Sequence, residues 1–98
     1  IRNTNKQEFD LIKDEEKSII IHFANIYNIS KVVLFGSALY KDNYEDIDIG
    51  IRGIEPELFF EFYGKLINAL SKPIDIILLD EKTKFNEMVE KTGVNLYG

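Results

Sequence analysis

The chain has 98 residues, 45% of them hydrophobic, and a net charge of −5. That suffices for one modest core in a single domain over residues 1–98, and so small a domain points to a partner subunit or a homo-oligomer. Absent cysteine excludes disulfides and thiolate metal sites and fits a cytoplasmic protein, while no basic stripe and no membrane-length apolar run mark nucleic acid or membrane as a partner.

Residues 1–14 are polar and mixed in charge. Phe9, Leu11 and Ile12 are expected to begin a short docking turn, with the first residues loose. The numbering opens on Ile1 rather than Met and no signal peptide is read, so a trimmed start is expected. Residues 15–28 are predicted helical, because Ile19, Ile20, Phe23, Ile26 and Tyr27 recur at helical spacing. Asp14, Glu15 and Glu16 suit the positive end of the helix dipole, and Asn28 suits its stop. His22, the single histidine, lies off the densest apolar line, and a surface or packing role is expected for it.

Residues 31–36 read as a strand buried on both faces, from the run Lys31-Val32-Val33-Leu34-Phe35. The run stops at Gly36, where the backbone is free to turn sharply or to let a ligand approach. Residues 37–45 are a polar connection that starts with a short helical turn after Ser37. Residues 46–52 alternate as a second strand. Ile47, Ile49 and Ile51 point one way, and Asp46 and Asp48 share the other face.

Residues 56–71 are predicted helical, with Pro56 in the first turn. The apolar arc from Leu58 to Phe60 spans roughly 200°, about twice what a core-facing stripe needs. Two readings stay open: a helix wedged between other elements, or a second apolar edge around Phe60 that meets another chain. Residues 73–79 form the third strand, begun by Pro73. Asp75 is its one charge, and a buried carboxylate there requires an ion, a cation or a dense hydrogen-bond set. Asp80 and Glu81 read as solvated turn residues. Residues 83–92 are a short helix with Phe85, Met88 and Val89 on one side and Gly93 as its cap. Residues 94–97 are expected to add a last short strand.

Two carboxylates at i and i+2 on one strand face repel each other unless a cation sits between them. Divalent cations with oxygen ligands meet that need. A Gly-Ser turn ending the preceding strand offers N–H groups and a hydroxyl to phosphate oxygens. Together they imply a metal–triphosphate complex. The bland alternative is an acidic strand edge beside a glycine turn, and the placement of Gly36-Ser37 after a buried strand favours the metal.

Leu34-Phe35-Gly36-Ser37, Asp46-Ile47-Asp48, Asp75 and the closing run from Val89 to Tyr97 together resemble the minimal nucleotidyltransferases of the DNA polymerase beta superfamily. The resemblance implies an α+β domain, a small mixed β-sheet with helices packed on one face. It implies transfer of AMP or another nucleoside monophosphate from Mg-ATP to a hydroxyl, with two Mg²⁺ ions. Gly36 and Ser37 match the positions that hold the β- and γ-phosphates. Asp46 and Asp48 match the metal-binding pair. Asp75 matches the third carboxylate, which binds the second metal and activates the attacking hydroxyl. The family's HEPN-domain partner is implied too, with this chain as its antitoxin, acting in some members by adding AMP to a tyrosine. Ala38, Leu39 and Tyr40 depart from the pattern, in which Arg or Lys commonly follows Gly-Ser, and the spacer before Asp46 is short; Lys41 or Arg52 is the expected substitute charge. Catalytic transfer and a non-catalytic module that occludes its partner are the two functional classes that follow. A plain structural subunit would leave Asp75 unexplained.

Overall fold

The computed structural model describes residues 12–40 and 43–98. Phe9, Leu11 and Lys41 lie outside them. Helix α1 runs Asp14–Ile26, with Asp14, Glu15 and Glu16 in its first turn. It ends earlier than predicted because Asn28 takes a left-handed φ of 56°, which a short polar side chain tolerates. The N–H of Ile29 then reaches back to Ala24 O at 2.9 Å, and this bond fills a carbonyl left open by the helix end.

Strand β1 (Lys31–Phe35) leads into a 3₁₀ turn (Gly36–Leu39), and β2 is Ile47–Arg52. A second 3₁₀ turn, Pro56–Leu58, precedes helix α2 (Phe59–Ala69). The predicted helix over 56–71 is thus shorter at both ends, since Leu70 is already extended on the way to Pro73. Strand β3 (Ile74–Leu78), helix α3 (Lys84–Thr92) and strand β4 (Val94–Tyr97) complete the chain.

The sheet is mixed, in the order β3-β2-β1-β4. β1 pairs antiparallel with β2 and β4, and β2 pairs parallel with β3. Val32, Leu34, Ile47, Ile49, Ile51, Ile74 and Ile76 form one face and share a core with Ile20, Ala24, Phe62 and Leu66 of α1 and α2. The expected layer of helices on one face is these two. The short α3 adds a smaller contact on the other face, where Val89 meets Val33 and Leu79. That second contact is why β1 reads as apolar on both sides. Ile12 is buried at the margin of the main core.

The wide arc of α2 divides in two. Phe62 and Leu66 are fully buried, whereas Phe60 is 81% exposed and Ile67 57% exposed. The deeply wedged reading is therefore excluded, and a second apolar edge lies open to solvent. His22 is exposed and packs edge-on to Phe23, as expected for a surface residue. Among the described residues no helix is long and apolar enough to cross a membrane.

Candidate active site

Parallel pairing builds the site. The N–H of Ile47 donates to Pro73 O at 2.9 Å, which starts the β2–β3 ladder. One step on, Asp48 stands opposite Asp75. Neighbouring strands lie about 4.8 Å apart, and register partners project from the same face, so the two carboxylates stand side by side. Asp46 precedes β2 by one residue and is exposed, while Asp48 is half-buried. Burial raises the Asp48 carboxyl above its ordinary value, and the charges of Asp75 and then Asp46 raise it further. Asp48 therefore feels both of the other acids.

Gly36 closes the site from the other side. Phe35, the last residue of β1, is the register partner of Asp48. The next residue, Gly36, has φ +83°, and a methyl group there would overlap Asp48 Oδ2. Glycine is thus required twice, for the turn and for the space. Ser37 follows, half-buried in the 3₁₀ turn, where its carbonyl accepts the N–H of Tyr40 at 3.0 Å. The fold brings Gly36, Asp48 and Asp75 together, with Ser37 and Asp46 one step away along the chain from Gly36 and Asp48's strand.

Two expectations need correction. Asp75 is not a buried charge: it lies on an edge strand and is exposed. Water hydrates it, so the desolvation argument does not apply, and its significance lies in standing beside Asp48. Arg52 does not supply the substitute charge at the acids. It sits four positions beyond Asp48, at the far end of β2, and its guanidinium donates to Glu90 Oε1 at 2.7 Å. That bond raises Arg52 and holds the Glu90 carboxyl below its ordinary value. Lys31 approaches Glu90 at 3.7 Å as well.

Sequence reasoning missed Tyr63. Its hydroxyl lies 3.2 Å from Ile74 O and 3.4 Å from Asp75 Oδ1. Burial and, less strongly, the nearby Asp75 and Asp48 charges raise its pKa, so it stays a donor. In the sequence Tyr63 is one more apolar-face residue of a helix, and nothing local marks it.

Among the described residues no three His, Asp or Glu side chains are gathered closely enough to cage a metal ion. The donor set still fits Mg²⁺. That ion takes hard oxygen ligands, keeps several waters, and needs only one or two carboxylates alongside substrate phosphates. The Asp48–Asp75 pair provides these, beside a glycine with no side chain in the way.

A family model described as polymerase beta, nucleotidyltransferase matches residues 17–98. None of the curated proteins compared matches the sequence. The fold is similar to that of a mutant toxin-antitoxin MntA-HpeT crystal structure, with a TM-score of 0.68 and 22% identity over 84% of this chain and 72% of that one. A toxin-antitoxin MntA-HepT crystal structure gives a TM-score of 0.63 and 25% identity over 85% of this chain and 70% of that one. The family match takes in Gly36, Ser37 and all three aspartates as well as every strand of the sheet. The chain belongs to the polymerase beta nucleotidyltransferase family.

Proposed function

We propose that the chain transfers AMP from Mg-ATP to a hydroxyl, whose oxygen bonds to the α-phosphorus as the bond to the β-phosphate breaks and pyrophosphate leaves, and that the acceptor is a tyrosine of a HEPN-type toxin to which it is the antitoxin. The observation that carries the transfer is the register pairing of Asp48 with Asp75, directly against Gly36. Nucleotidyl transfer asks a protein mainly for positioning and for stabilisation of charge on phosphoryl oxygens. Asp46, Asp48 and Asp75 would hold two Mg²⁺ ions, which when bound stabilise the attacking and leaving oxygens of an in-line displacement. Asp75 accepts the proton of the attacking hydroxyl, and Tyr63 orients it. Gly36 lets the turn lie directly against the Asp48 carboxylate, and the Ser37 hydroxyl and nearby N–H groups would bind the outer oxygens of the triphosphate. Burial, and then the charges of Asp75 and Asp46, raise the Asp48 carboxyl, and a bound cation would offset both.

The antitoxin role is supported by the likeness to the MntA-HepT and MntA-HpeT structures, which are toxin-antitoxin pairs. Exposed Phe60 and Ile67 give the domain an apolar edge of the kind a partner covers. The test is AMP transfer from labelled ATP to the co-purifying partner, with wild type against Asp48→Asn. Transfer is expected with the first alone; equal labelling by both would remove the proposal.

A second reading has its own support. Ala38, Leu39 and Tyr40 stand where the family commonly has a basic residue, and Arg52 is engaged by Glu90. A module that only occludes its partner needs no triphosphate contact. Calorimetry with Mg-ATP separates the two, since occlusion alone predicts no heat of nucleotide binding.

A further inference from the structure

Glu16 is the one charged side chain among the described residues that is buried, at 3% exposure. A buried carboxylate is costly unless its oxygens are hydrogen-bonded. Here each oxygen has its own donor. Tyr44 donates its hydroxyl to Oε1 at 2.6 Å, and Ser71 donates to Oε2 at 3.0 Å. Tyr44 is held in turn by the N–H of Lys13, 3.2 Å from its hydroxyl, and by the Lys72 ammonium, 5.0 Å from its ring centre.

The two donors matter for where they sit in the chain. Tyr44 lies two residues before Asp46. Ser71 lies two residues before Pro73, whose carbonyl starts the β2–β3 ladder. One carboxylate on α1 therefore joins the two segments that lead into the acid-bearing strands. Among the described residues β3 has no strand on its outer side, so β2 alone of these strands holds its lateral position. Loosening either leading segment would free Asp75 to move against its register partner Asp48. Charge-assisted hydrogen bonds suit such a clamp, since they are short and directional.

We propose that Glu16, acting through Tyr44 and Ser71, is a positioning residue for Asp46, Asp48 and Asp75, and that it sets the divalent-cation affinity of a site it does not touch. The inference rests on the reading of those aspartates as cation ligands. Mn²⁺ binding to the full chain, followed by the loss of its free-ion electron paramagnetic resonance signal, tests both. Glu16→Ala is expected to weaken Mn²⁺ binding on the order of tenfold, as loss of an outer support of a metal site does. Glu16→Gln, which keeps an acceptor oxygen, should fall between Ala and wild type. Amide exchange at Ile47 should quicken relative to the amides of β1 and β4. Should Glu16→Ala fail to fold, Tyr44→Phe deletes one hydrogen bond and keeps the ring, and a several-fold loss is expected of it.

A folded Glu16→Ala or Tyr44→Phe with wild-type Mn²⁺ affinity would overturn the positioning role. If Asp48→Asn abolished binding in the same experiment, the cation reading would stand without it. Wild type that takes up no Mn²⁺ would overturn the cation reading, and this proposal with it.

Discussion

Gly36 leaves no space beside Asp48: a methyl group at position 36 would overlap the Oδ2 atom of that carboxylate. The backbone at Gly36 also has φ +83°, which costs a residue with a Cβ about 1–2 kcal/mol. Gly36→Ala is therefore expected to lower stability by about that amount in urea unfolding while leaving a folded domain. Its larger effect should be on Mg-ATP binding, lost in calorimetry because the methyl displaces Asp48 and fills the approach.

The charge at Asp48 has a consequence for stability. Burial, then Asp75 and Asp46, raise its folded-state carboxyl above the ordinary value of 3.8. The folded chain thus holds that proton more tightly than the unfolded chain does. The stabilisation is complete below the unfolded value and is lost as pH rises through the raised folded value. At pH 7 the ionised group works against folding. Asp48→Asn is expected to melt higher than wild type at pH 7 and to lose that advantage once the pH falls below the ordinary carboxyl value. Adding Mg²⁺ at pH 7 should raise the melting temperature of wild type and not of the variant.

Phe60 and Phe62 are the same residue two positions apart with opposite environments. Phe62 is fully buried and packs edge-on to Tyr27 at 5.6 Å, whereas Phe60 is 81% exposed. Phe62→Ala is expected to cost about 3–5 kcal/mol. Phe60→Ala should stay within about 0.5 kcal/mol. Paired denaturant titrations check the contrast.

Helix α3 depends on its first turn. Thr83 Oγ1 accepts the N–H of Asn86 at 3.0 Å. The buried Asn86 amide donates to Leu78 O at 3.0 Å and Glu81 O at 2.7 Å. Thr83→Ala is expected to cost about 1 kcal/mol, as loss of a helix cap does. Asn86→Ala leaves two carbonyls without that donor and should cost about 1–3 kcal/mol. Thermal melts should rank the two in that order.

Much of this fold is written in local pattern. The apolar run of β1 and the alternation of β2 bury the side chains they mark, whereas the spacing in α1 and α2 marks Ile20 and Phe62, which are buried, together with Ile26 and Phe60, which are not. The Gly36-Ser37 turn was legible because an apolar run that stops at glycine marks the end of a strand, whereas β2 begins at Ile47, one residue later than its alternation suggests, and leaves Asp46 just ahead of it. Strand order is not local. Whether Asp75 sits in the centre or at the edge depends on which strand pairs with β2, and the residues of β3 do not encode it. Which part of the α2 arc meets the core is decided by the sheet beneath, so Phe60 and Phe62 look alike in sequence. Arg52 finds Glu90 38 residues away, and Glu16 finds Ser71 55 residues away. Such pairs have no signature until the chain is folded.

The outermost strand carries one more implication. A bare sheet margin invites a strand from another molecule, and a charge placed on it discourages that union. Asp75 is the only charge in β3, and Leu78 on the same strand is 44% exposed. Tyr63 covers the carbonyl of Ile74 as well. Asp75 thus guards the edge against intermolecular zippering. Any change that neutralised that charge would leave an apolar margin free to zip onto a second copy.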